Sequence, residues 1–186
     1  MYVKANADGY ALALYDLHKE EKKISSTYEF IVAFYDSIVQ DKNIINFLAN
    51  AKIPKQEKYN VVELWAKNDS TLKTFITFLK VIIDKNASNI LLRILSIYIS
   101  RVEKDLNILR VKFISALPIA QNTLAKIIKK LELQYSKKVI LKIFIDKSLI
   151  SGFRIEINNE VIEQNIKNDL DKISRLIINE KGGLND

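Results

Sequence analysis

Apolar residues recur every three or four positions from Val3 to about Asp105 and every second position soon after it, so the hydrophobic period changes once along the chain. In the first stretch Val3, Ala7, Tyr10, Ala11, Leu14 and Leu17 predict a helix that opens near Asn6 and Asp8 and closes at the charged run Lys19 to Lys23. A second helix, with Ser25, Ser26 and Thr27 as candidate caps, carries Phe30, Ala33, Phe34 and Ile38 up to a break at Asp41-Lys42-Asn43. Ile44, Phe47 and Leu48 mark a short third helix. Pro54 stands where a first-turn proline would begin a fourth, through Tyr59, Val62 and Trp65. Asp69-Ser70 precedes a fifth with Leu72, Phe75, Ile76, Leu79, Ile82 and Ile83 on one face, and Asn86 to Asn89 separates it from a sixth over Ile90 to Val102. Six helices with short connections predict a bundle.

Beyond Asp105, Leu109, Val111 and Phe113 alternate with Arg110 and Lys112, a strand with a basic outer face. Pro118 is expected to start a helix through Leu124, Ile127, Ile128 and Leu131. Val139, Leu141, Ile143 and Ile145 then alternate, followed by a seven-residue turn and a further alternating run of Phe153, Ile155 and Ile157. After Asn158-Asn159, helical spacing returns at Ile166, Leu170, Ile173 and Ile177, a stripe placed to cover the strands. The expected fold is mainly α: an amino-terminal six-helix bundle over residues 1–105, then a small α/β carboxyl-terminal domain of three or four strands and two helices over residues 106–186. Lys181 to Asp186 read as a frayed tail.

Composition narrows the chemistry. Apolar residues make up 48% of the 186, yet no run approaches the roughly 20 needed to span a bilayer. The segment Met1-Tyr2-Val3-Lys4 has neither the pattern of a secretion signal nor that of an organelle leader, which predicts a cytoplasmic location. Cysteine is absent, so disulfides, thiolate metal sites and thiol nucleophiles are excluded together. A lone histidine, His18, cannot build a zinc site and is expected to be exposed or to cap the end of the first helix. Asp146 and Ser148 lack a histidine to complete a triad, and four glycines cannot form a phosphate-binding loop. No catalytic residue, cofactor or metal is therefore predicted.

Two surfaces stand out. Ala5, Ala7, Ala11 and Ala13 spread small residues around the first helix, and Phe78 and Val81 widen the apolar face of the fifth. Two such helices can form a groove for an amphipathic helix of a partner; the competing reading is that these faces simply pack inside the bundle. The net charge of +7 is concentrated, since residues 106–147 hold 9 Lys/Arg against 2 Asp/Glu while residues 1–105 hold 15 against 13. The basic residues are Arg110, Lys112, Lys126, Lys129, Lys130, Lys137, Lys138 and Lys142, and they favour an acidic partner. An RNA-binding helical protein is the alternative, although no interleaved aromatics or Gly-x-x-Gly clamp accompany the charge.

The run from Ile145 to Ile173, "IDKSLISGFRIEINNEVIEQNIKNDLDKI", resembles the carboxyl-terminal signature of the F-type ATP synthase delta subunit family, relatives of the oligomycin-sensitivity-conferring protein. Asp146, Ser148, Leu149, Ile150, Gly152, Val161 and Ile162 match it, while Ser151, Glu163 and Asn165 replace a glycine, an aspartate and a serine. Tyr10-Ala11-Leu12-Ala13-Leu14 resembles the family's opening motif, and Ser115-Ala116-Leu117-Pro118-Ile119 its strand-to-helix junction; Asn86-Ala87-Ser88 keeps an asparagine and lacks an arginine. The resemblance implies a non-catalytic stator subunit, one copy per complex, on the cytoplasmic side of the membrane. It implies a groove for the amino-terminal helix of an alpha subunit, placed at Tyr10, Ala11, Ala13, Leu14, Phe75, Phe78, Leu79 and Ile82, and a second domain holding the b-subunit stalk. Pro118, Asp146, Leu149 and Gly152 are its structural markers. On this reading Ala11→Glu is expected to abolish helix binding and leave the helices intact.

Overall fold

The computed structural model describes residues 6–65, 69–149, 152–157 and 160–165. The chain forms two compact units, one ending at Leu106 and the other starting at Asn107. It is mainly helical, with one small mixed sheet.

The first unit contains α1 (Ala7–Glu20), α2 (Ile24–Gln40), α3 (Asn43–Ala49), α4 (Lys55–Leu64), α5 (Lys73–Asp84) and α6 (Leu91–Asp105), with single 3-10 turns at Ser70–Leu72 and Ser88–Ile90. Helix α6 is its axis. Leu91, Ile94, Leu95, Tyr98, Ile99 and Val102 recur three and four apart and are wholly buried, packing against α1 and α2. Each such side chain contributes roughly 1.5–3 kcal/mol by leaving water. Phe75 of α5 meets Phe30 and Phe34 of α2 edge-on, with centroids 6.0 and 5.5 Å apart.

The helix ends show what the sequence does locally. The Asn6 side chain accepts the Asp8 N–H at 3.1 Å and caps α1. Helix α5 exits through Asn86 at φ 52°, where the Ala87 N–H reaches the Ile82 carbonyl at 2.9 Å, a wrap that asparagine tolerates better than most residues. The start of α2 differs from expectation. Lys23 occupies its N-cap position, and Ser25, Ser26 and Thr27 lie within the helix; the Thr27 hydroxyl donates back to the Lys23 carbonyl at 2.8 Å. Pro54 sits one residue ahead of the first turn of α4, as its N-cap residue.

The second unit contains β1 (Ile108–Ser115), α7 (Gln121–Tyr135), β2 (Lys138–Ile145), β3 (Gly152–Ile157) and β4 (Glu160–Asn165), in the sheet order β2-β1-β3-β4. Strands β1 and β2 are parallel and joined through α7, while β1–β3 and β3–β4 are antiparallel. Leu109, Val111, Phe113, Val139, Ile155 and Ile157 point to one face, and α7 covers it through Leu131, with Ile127 and Ile128 packed beside it. Phe113 stacks on Phe153 at 5.2 Å. Helix α7 begins at Gln121, so Pro118 precedes the helix instead of opening its first turn, and Ala120 takes the N-cap position. The helix expected from Ile166 to Ile177, the Asn158-Asn159 reversal, Ile150 and Ser151 lie outside the described residues.

Candidate functional site

Helices α1 and α5 lie side by side. The Tyr10 ring meets Phe78 edge-on at 6.5 Å, and the Thr74 hydroxyl donates to the Glu21 carboxylate at 2.7 Å just past the end of α1. Of the eight residues predicted to form the groove, Ala11, Leu14, Phe75, Phe78, Leu79 and Ile82 are buried, Tyr10 is half-buried and Ala13 is exposed. The buried six form the wall behind the seam. Outside that wall, Tyr10, Ala13 and Leu17 on α1 and Thr74, Thr77 and Val81 on α5 are half-buried or exposed, each set spaced i, i+3, i+7. Leu17 is 44% exposed and Val81 41%, a large apolar side chain on each helix of the pair. Leu17 already belongs to the apolar stripe read for the first helix yet is absent from the predicted groove, and the two threonines are polar positions that hydrophobic spacing does not select. The position seven residues after Tyr10 was the signal available for Leu17.

Burial also reverses one expectation. Ala11 has no exposed surface, so a glutamate there would enter the core and disturb folding before it disturbed any ligand.

The predicted basic surface is divided by the sheet. Arg110 and Lys112 on β1, and Lys138 and Lys142 on β2, alternate with the core positions and so lie on the face away from α7. Lys112 pairs with Glu156 at 3.0 Å, and the ammonium groups of Lys112 and Lys142 lie 5.3 and 5.7 Å from the Phe144 ring. Lys126, Lys129 and Lys130 are exposed on α7, on the other side of the sheet, and Lys137 follows in the turn. One partner surface cannot meet both groups flat-on.

His18 is the clearest departure from expectation. It is fully buried, sharing a 2.6 Å hydrogen bond from Nδ1 to Tyr98 Oη and standing edge-on to that ring, so it joins α1 to α6 and cannot be a surface or capping group. Burial lowers its pKa to about 4 despite the opposing pull of Glu21, and burial likewise raises Tyr98 to about 12. Both groups are neutral near pH 7.

The turn after β2 is organised by Asp146. Its carboxylate accepts the Ser148 N–H at 2.9 Å, its own N–H donates to the Ser115 carbonyl at 2.9 Å, and the buried Leu149 donates to the Asp146 carbonyl at 3.2 Å. Hydrogen bonds from the Ser148 hydroxyl and backbone hold the Asp146 carboxyl below the usual carboxylate range. Ser115 Oγ closes the neighbouring turn by donating to the Leu117 carbonyl at 2.7 Å. Gly152 opens β3 opposite Asn165, and Glu163 stands opposite Arg154 in the register. These residues shape a junction. Ser88 is buried at the 3-10 turn before α6.

Among the described residues no group of three or more His, Cys, Asp or Glu could hold a metal, and no helix is long and apolar enough to cross a membrane. The chain is thus mainly helical, with one small sheet, exposed apolar side chains on α1 and α5 and basic residues on both sides of the sheet. The chain belongs to the ATP synthase delta (OSCP) subunit family, whose sequence profile matches residues 7–177. It is similar to the ATP synthase subunit delta of Mycoplasmopsis agalactiae, 56% identical over 185 residues and the full length of both chains. That of Caldanaerobacter subterraneus subsp. tengcongensis is 32% identical over 167 residues, covering 90% of this chain and 93% of the other. A chain in the mitochondrial ATP synthase hexamer of Toxoplasma gondii shares the fold, with a TM-score of 0.69 at 12% identity, over 94% of this chain and 98% of that one. The family is a structural stator component of ATP synthase without a catalytic role, and neither relatives nor fold support the RNA-binding alternative.

Proposed function

We propose that this chain is the stator joint of a bacterial F-type ATP synthase, present in one copy on the cytoplasmic side of the membrane. The helical unit works as a six-helix bundle over residues 1–105 and receives the amino-terminal helix of an alpha subunit in the α1/α5 groove. The α/β unit over residues 106–186 holds the far end of the b-subunit stalk, with its basic residues meeting stalk carboxylates. Joined in this way, the catalytic head resists the torque of the rotor. The task requires affinity from two surfaces and no chemistry, cofactor or metal of its own.

The observation that carries the reading is the α1/α5 seam, where Leu17 and Val81 stay exposed on helices that touch through Tyr10–Phe78 and, just past α1, Thr74–Glu21. An amphipathic helix would cover both side chains with its own apolar anchors. Calorimetric titration with a synthetic peptide of the alpha subunit's first residues tests it. Binding near about micromolar strength is expected, weakened at least about tenfold by Val81→Glu, with helical content unchanged because Val81 packs partly in solvent. A Val81→Glu protein that binds as well as the parent would remove the groove from the proposal.

A further inference from the structure

Helix α1 has a second flank. Tyr15 on α1 and Ser96, Ile97, Ser100, Arg101 and Lys104 on α6 line an open cleft of about 710 Å³, with Asp105, the last residue of α6, also in its wall. The spacing of its liners is helical. Positions 96 to 104 advance about 12 Å along α6, roughly two turns of a helix laid beside it. Ser96 and Ser100 stand one turn apart and form a low ridge, over which another helix backbone can come close. Tyr15 and Ile97 are half-buried and offer an apolar seat between the two helices.

The charge at the rim is one-sided. Arg101 and Lys104 are exposed, and among the described residues neither has a carboxylate within ion-pair distance. The Lys19 ammonium lies 5.5 Å from the centroid of the Tyr15 ring, a third cation beside a liner, and Asp105 is the single carboxylate among the liners. A small anion would call for a buried polar group to hold it, and every polar liner here is in contact with solvent. A nucleic acid would call for a row of exposed aromatic platforms, and Tyr15, itself half-buried, is the single aromatic liner of the cleft.

We infer that this cleft docks an acidic amphipathic helix of a protein partner, with an apolar side chain seated between Tyr15 and Ile97 and carboxylates set on Arg101 and Lys104. The site is independent of the head-binding reading, since Tyr10 and Leu17 face the other flank of α1. The same short helix can thus be held from two sides at once.

The test is calorimetric titration of the full chain with a designed twenty-residue helical peptide carrying Leu and Glu three and four positions apart on one face. The same peptide with Lys for Glu is the control. The acidic peptide binds and the basic one does not. Arg101→Glu/Lys104→Glu weakens binding at least about tenfold, whereas Lys126→Glu/Lys129→Glu, the same charge change on α7, leaves it within about twofold. Ser100→Trp, which fills the cleft without altering charge, blocks binding as well. Circular dichroism reports that all three variants keep their helices, as expected for exposed positions. Equal loss in both charge variants, loss in neither, undiminished binding by Ser100→Trp, or failure of the acidic peptide to bind overturns the inference. Polyuridylate binding that Arg101→Glu/Lys104→Glu removes, with peptide binding unchanged, would make the cleft a nucleic-acid surface and overturn it equally.

Discussion

The helical unit buries Leu14, Ile31, Phe75 and Tyr98 completely, whereas the α/β unit leaves Leu117 72% and Leu133 74% exposed. Helices α1, α5 and α6 turn apolar stripes inward and still carry other side chains on their flanks, so core and contact surface are supplied by different residues. In a strand the two faces alternate residue by residue. Strand β2 lies at the sheet edge, and its last positions on the covered face, Ile143 and Ile145, are 44% and 55% exposed. Both units keep a buried core, but the helices divide core from surface along whole flanks while the sheet divides them residue by residue.

Ala11→Glu breaks that separation most severely, because it places an unpaired charge at a position without exposed surface. A loss of about 3–5 kcal/mol or more is expected, read as a collapse of the urea midpoint by far-UV circular dichroism. Retention of the parent midpoint would show that α1 is not part of a self-sufficient core. Mild acid has the next largest effect through a group of the helical unit, since His18 is the one histidine of the chain. The unfolded chain takes that proton near pH 6.5 and the folded chain near about 4, so stability is full above 6.5 and declines as pH falls from 6.5 toward 4. The loss is at most roughly 3 kcal/mol. Urea midpoints between pH 7.5 and 4.5 should fall for the parent and stay flatter for His18→Asn after correction for its own lower stability; identical slopes would dismiss the buried imidazole as the cause. The smallest effect belongs to the sheet. Lys112→Ala removes an ion pair whose side chains are 45% and 29% exposed, and a change below about 0.5 kcal/mol is expected in thermal melts.

Much of this architecture is legible in the residues. The switch from a period of three or four to a period of two survives because helices and strands bury different subsets of positions, and Leu109, Val111 and Phe113 do share one face. The charged run that follows His18 suggests exposure, but the residue itself is buried. Its position continues Ala7, Ala11 and Leu14 at helical spacing, and that stripe was the evidence for burial. The basic residues looked like one patch because they are close in sequence. Only the parallel pairing of β1 with β2, with α7 passing across one face, places Lys126, Lys129 and Lys130 opposite Lys112 and Lys142. Pro118 carried a true signal for a junction and a false one for where the helix begins, since proline suits a turn as well as a first helical residue.

Only Leu106 and Asn107 stand between the end of α6 and the start of β1. Strand β1 is bonded on both sides, to β2 and to β3. Tension drawn along it therefore loads two ladders of hydrogen bonds sideways and together, whereas a pull on an edge strand can peel its bonds one at a time. In mechanical terms the second unit opens on a strand with a neighbour on each side, and a load on β1 is shared between β2 and β3.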